Sequence, residues 1–170
     1  MKTRIVFTFT IIMLISFSCK KEEDSSEIQL RWQEFLSVLE QKNLTEFKEY
    51  ASDTIRCYMC IENTEHEQKV LEYLRDNDST WYDKLYNEKI YIPINKFLDE
   101  DYDLIFNNEF VEVLKNSKTV YAQREIDGLD VYEVLVTTTK PSLGFEGGQH
   151  DFQFTKEEGI FKLSEISTIP

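Results

Sequence analysis

The periodicity of the chain changes at Lys118, and that change limits the folds open to it. Before this point apolar residues recur at helical spacing. Beyond it they alternate with polar ones, the period of a half-buried strand. Ile28, Trp32, Phe35, Leu36 and Leu39 fall at i, i+4, i+7, i+8 and i+11, one apolar stripe. Asn43 with Glu46, and Thr64 with Glu67, each pair an N-cap with a glutamate three residues on. The first predicts a short helix through Tyr50. The second predicts a helix buried through Val70, Leu71, Tyr73 and Leu74 and ending near Asp78. Between them the apolar run 55–61 reads equally as strand or turn. Residues 81–86 suit one more helical turn, Pro93 places the run 90–94 at a sheet edge, and 98–106 and 109–114 read as short helices.

After Lys118, residues 119–126 and 129–138 flank Asp127-Gly128, a two-residue hairpin signal. Residues 151–155 and 160–166 flank a second turn over 156–159, and the glycine- and proline-containing stretch 139–149 connects the two hairpins. Helices first and antiparallel strands last predict an α+β domain, with N-terminal helices packed on a curved antiparallel sheet formed mainly by the C-terminal strands.

The N-terminus carries a separate message. Lys2 and Arg4 precede an uncharged apolar stretch over 5–17, then Ser18 and Cys19, then Lys20-Lys21-Glu22-Glu23-Asp24. Thirteen residues make a helix of about 20 Å, too short for a hydrocarbon core of about 30 Å, so the stretch reads as a secretory signal and not as an anchor. Ile15-Ser16-Phe17-Ser18-Cys19 resembles a lipobox, although Ser16 stands where that motif usually has leucine. The resemblance implies a bacterial lipoprotein cut before Cys19 and lipidated on it, anchored to the outer membrane of the cell envelope without spanning it. Because one acyl chain binds only marginally, such anchoring takes two or more. The charges after Cys19 are similar to the acidic tag that sends some lipoproteins to the cell surface. The domain organisation expected is therefore a signal peptide over 1–18, a lipidated cysteine and tether over 19–26, and one α+β domain over 27–170.

Removing residues 1–18 leaves 152 of the 170. Lys plus Arg falls from 19 to 17 against 32 Asp plus Glu, so the formal net charge moves from −13 to −15. Such a chain has no affinity for nucleic acid, which needs Lys and Arg to displace counterions from phosphate. Its charge suits solubility, or a basic protein as partner.

Export also bears on Cys57-Tyr58-Met59-Cys60. In an oxidising compartment, with Cys19 acylated, these two thiols form the one remaining pair. A disulfide needs Cα atoms within about 7 Å, whereas three strand steps span roughly 10 Å. A turn therefore permits the bond and a strand forbids it, and two cysteines packed as small hydrophobes remain the alternative. Only His66 and His150 could complete a metal set, and no second CxxC exists. Asp99, Asp101 and Asp103 alternate as in a calcium loop, but Leu104 and Phe110 stand where glycine and glutamate are needed, so a solvated acidic turn is expected. His66-Glu67 has no second histidine at position 70 for a zinc protease helix. His150 and Asp151 are neighbours on a strand and point to opposite faces. No catalytic residue, metal or cofactor is assigned.

The helices-then-meander order, and the closing segments Phe152-Gln153-Phe154 and Gly159 to Ile166, resemble NTF2-like (cystatin-like) cones. That resemblance implies a pocket between sheet and helices and carries over no catalytic residue. The expected function is a lipid-anchored domain that binds a small ligand or an envelope component in an internal apolar cavity, with His150 and Trp81 as candidate polar groups. The alternative is an acidic immunity- or inhibitor-type lipoprotein that binds a basic protein.

Overall fold

The computed structural model describes residues 26–169. Cys19, the signal stretch and most of the tether lie outside these residues. Helix α1 covers residues 26–41 and already includes Ser26, which the tether reading placed outside the domain. It buries Ile28, Trp32, Phe35, Leu36, Val38 and Leu39, the face set by its apolar stripe. Asn43 caps α2 (Leu44–Tyr50) by accepting from the Glu46 amide, and its own amide donates to Glu46 Oε2 at 2.9 Å. Strand β1 (Ala51–Cys57) follows directly. The ambiguous run 55–61 thus divides, the strand ending at Cys57 and a 3₁₀ turn occupying Met59–Ile61.

Helix α3 (Glu65–Asn77) opens on the Thr64–Glu67 capping box. It leads to α4 (Trp81–Lys84), a π turn at Leu85–Lys89 and β2 (Tyr91–Pro93). Helix α5 (Ile94–Lys96), a second π turn at Phe97–Asp101 and α6 (Tyr102–Ile105) run together, and α7 (Asn108–Asn116) precedes the strands. These are β3 (Thr119–Ile126), β4 (Leu129–Thr139), β5 (Gly148–Glu157) and β6 (Ile160–Ile169).

The sheet has six strands in the order β2-β1-β6-β5-β4-β3. It is mixed and open, which corrects the expectation of an antiparallel sheet: β3 to β6 form an antiparallel meander, but β1 runs parallel to β6. The chain reaches this arrangement because residues between β2 and β3 cross from one edge of the sheet to the other, leaving β1 beside the last strand. Asp127 (φ 52°) and Gly128 (φ 80°) form the tight hairpin turn that their identities call for. The second turn is also two residues, Glu158 (φ 52°) and Gly159 (φ 83°), because β5 runs on to Glu157 while β6 starts at Ile160 as its alternation indicated.

Interlocked rings form the core. Trp32 lies 5.0 Å from Phe152, Phe35 lies 5.5 Å from Phe47 and 5.9 Å from Phe154, and Phe47 lies 5.0 Å from Tyr102. All of these rings are buried, and burial of each contributes roughly 1.5–3 kcal/mol. Tyr102 Oη has no hydrogen-bond partner there, and burial pushes its phenol up to about 12.

Candidate functional site

On strands that alternate, the residues between the core positions face away from the rings. Register carries one such row across the whole sheet: Ala122, Glu133, Gln153, Glu165, Arg56 and Tyr91 are successive cross-strand partners from β3 to β2. Arg124 on β3 pairs with Glu133, and Arg56 on β1 pairs with Glu165. Asp151, two residues from Gln153 and on the same face, accepts from Gln153 Nε2 at 2.8 Å. Glu133, Asp151 and Gln153 are buried, Asp151 to 2 % exposure.

Charge and burial oppose each other in this row. Burial pushes Glu133, Asp151 and Glu165 above the ordinary carboxylate range. The nearby charge of Asp151 raises Glu133 further, Arg124 opposes the rise in Glu133, and Arg56 opposes that in Glu165. Asp151 Oδ1 has no donor from any amide, hydroxyl or cation among the described residues. Glu133 is the neighbouring acid.

Along this row runs a groove of about 490 Å³. Gln153, Thr155 and Ser164 contribute polar groups to its lining, Arg56 and Arg124 join them, and Ile126, Leu129 and Val131 add an apolar side. Tyr91 also lines it, with 45 % of its surface exposed.

A second region lies around α3. Its expected buried face does not form: no residue of the helix is buried, Leu71 and Leu74 are half-covered, and Val70 and Tyr73 are exposed. The helix meets the body mainly at the 3₁₀ turn and α4, and its apolar residues line a groove instead of entering the core. That groove, about 470 Å³, is lined by Ile61, His66, Val70, Leu71 and Leu74 among others. At its root Cys57 and Cys60 are joined by a disulfide with Cα atoms 5.4 Å apart, both cysteines being buried. Asn63 donates to Asp101 Oδ1 at 3.2 Å. Asp101 is therefore not part of a solvated turn: it is buried, and burial pushes its carboxyl up to about 6. At the far end Lys84 and Thr80 bind Asp78, holding its carboxyl down at about 2. Beside this helix Tyr58, Tyr86, Tyr82 and Trp81 form a chain of rings with centroids 5.9, 4.6 and 5.8 Å apart.

The two residues expected in an internal cavity are not brought together. His150 faces the core, with Nδ1 2.8 Å from Thr138 Oγ1 and its ring 4.7 Å from Phe110, and burial lowers its pKa. Trp81 lies on α4 beside the tyrosines. Buried rings of the core, Trp32, Phe35, Phe106 and Phe152 among them, lie where helices and sheet meet. Among the described residues no group of three or more His, Cys, Asp or Glu side chains is placed to hold a metal ion, and no helix is long and apolar enough to cross a membrane.

The acidic row on the sheet face was not identified from the sequence. Its signal was present in the alternation of β4 and β5, but the cross-strand partners depend on register through an eight-residue connection and two bulges. Comparison with family models, with curated proteins and with solved structures gives no match to this chain.

Proposed function

We propose that the chain is a lipid-anchored protein of the bacterial cell envelope, held to the outer membrane through Cys19, whose domain binds an envelope component in the groove on the open sheet face. The observation that carries this reading is the row of buried polar side chains beside a groove of about 490 Å³. Pockets of this size with a few convergent polar groups are the usual form of a ligand site. Burial of acids and an amide on an outer sheet face is costly unless they are paired, and here they are paired in a network. The NTF2-like likeness is supported by the helices-over-meander order alone, and the binding site proposed lies outside the ring-filled interior.

The test has two parts. Mass spectrometry of membrane-extracted protein should show a chain beginning at a lipidated Cys19; a chain still beginning at Met1 contradicts the anchor. NMR of the same protein titrated with solubilised envelope extract should shift the amides of Arg56, Thr155 and Ser164. A spectrum that moves only around α3 contradicts the sheet-face site.

That last result would favour a second reading, a basic protein partner docked on α3. The exposed Tyr58 and Tyr82 rings, flanked by Glu62, Glu72 and Asp83, support it. Such binding should weaken as salt rises and be lost in Tyr82→Ala.

A further inference from the structure

We propose that the sheet-face groove takes a neutral, hydroxyl-rich ligand: a glycan and not an ion. This deepens the envelope-component reading and rests on it. Charge sets the first limit on a ligand. Arg124 and Arg56 already pair with Glu133 and Glu165, and the buried Asp151 is not among the residues that line the groove. A charged ligand would compete with one of these pairs, whereas a neutral ligand disturbs none.

The lining then sets the chemistry. Each sugar hydroxyl both donates and accepts. The groove offers both functions side by side: guanidinium N–H groups that the carboxylates do not use, carboxylate oxygens of Glu165, the amide of Gln153, and the hydroxyls of Thr155 and Ser164. Sugars also carry an apolar C–H face. The half-exposed ring of Tyr91 and the side chains of Ile126, Leu129 and Val131 supply surface for it. Asp127, the other charged group on the lining, stands in the exposed hairpin turn at the rim. The Arg124–Glu133, Arg56–Glu165 and Gln153–Asp151 contacts hold the row in place before any ligand arrives.

The experiment uses membrane-extracted full chain in detergent and isothermal titration with four probes: chitotetraose, maltotetraose, the deacetylated cationic form of the first, and a sulfated anionic form of the second. Binding of a neutral tetrasaccharide, unchanged between low and high salt, is the expected result. Thr155→Val and Tyr91→Ala change partly exposed residues and leave the buried row intact. Each should weaken that binding by about fivefold, the worth of one hydrogen bond or one modest apolar contact. Tyr73→Ser on α3 should leave it unchanged. Binding of only the charged probes would overturn the glycan inference and leave the groove reading standing. Failure of all four to bind, or to move the Thr155 and Ser164 amides, would overturn both.

Discussion

The sheet face and helix α3 invert the usual distribution of residues. On the sheet face Glu133, Asp151 and Gln153 are buried; on α3 Val70 and Tyr73 stand in solvent. Both segments were given their faces by local rules, alternation in one and helical spacing in the other. What separates them is the tertiary contact each receives. The strands are locked on both sides by neighbours whose arginines neutralise the acids. The helix adjoins the Cys57–Cys60 turn at one end and the Asp78–Lys84 pair at the other, and none of its residues is buried. Polar groups are thus held rigidly in one region, and apolar groups are held loosely in the other.

Four changes would break or sharpen this contrast. Gln153→Ala removes the amide that donates to Asp151 Oδ2, and Oδ1 already has no donor among the described residues. It should cost about 2–3 kcal/mol in urea unfolding, the upper range for a charged buried group. Replacing Cys57 and Cys60 together with alanine removes a very short loop closure and should cost about 2 kcal/mol at most. That loss should appear first as faster opening of α3. Val70→Ser, an apolar-to-polar change that would be severe in a core, should stay within about 0.5 kcal/mol. A loss as large as that of Gln153→Ala would show that α3 packs more tightly than described.

The smallest effect is the pH slope. Glu133, Asp151, Glu165 and Asp101 all have folded pKa values raised above the ordinary carboxylate range of about 4. Between that range and the folded values the folded protein holds more protons than the unfolded chain. Stability should therefore fall as pH rises through this window, which for Asp101 closes near 6. Asp78 works the other way: its stabilising contribution is present above about 4 and lost as pH falls through about 2. Asp151→Asn should flatten the fall toward neutral pH, seen as a shallower dependence of the urea midpoint.

Much of the architecture was legible in the sequence for local reasons. The caps at Asn43 and Thr64, the turn at Asp127-Gly128 and the edge position of Pro93 are each set by one or two residues and their neighbours. The parallel β1–β6 pair was not legible, because it joins segments more than one hundred residues apart with no local signature. The face of α3 misled for a related reason: Val70, Leu71 and Leu74 have core spacing, but spacing does not say whether another element is there to cover them. The candidate site was hidden by register. Glu133, Gln153 and Glu165 are unremarkable strand residues until two bulges and an eight-residue connection bring them into one row.

The most direct test of the contrast is amide hydrogen exchange on the intact protein. The account predicts that β4, β5 and β6 exchange only through global unfolding, while residues 65–77 of α3 exchange through local opening at a far smaller free energy. Protection of α3 equal to that of β5 would contradict it.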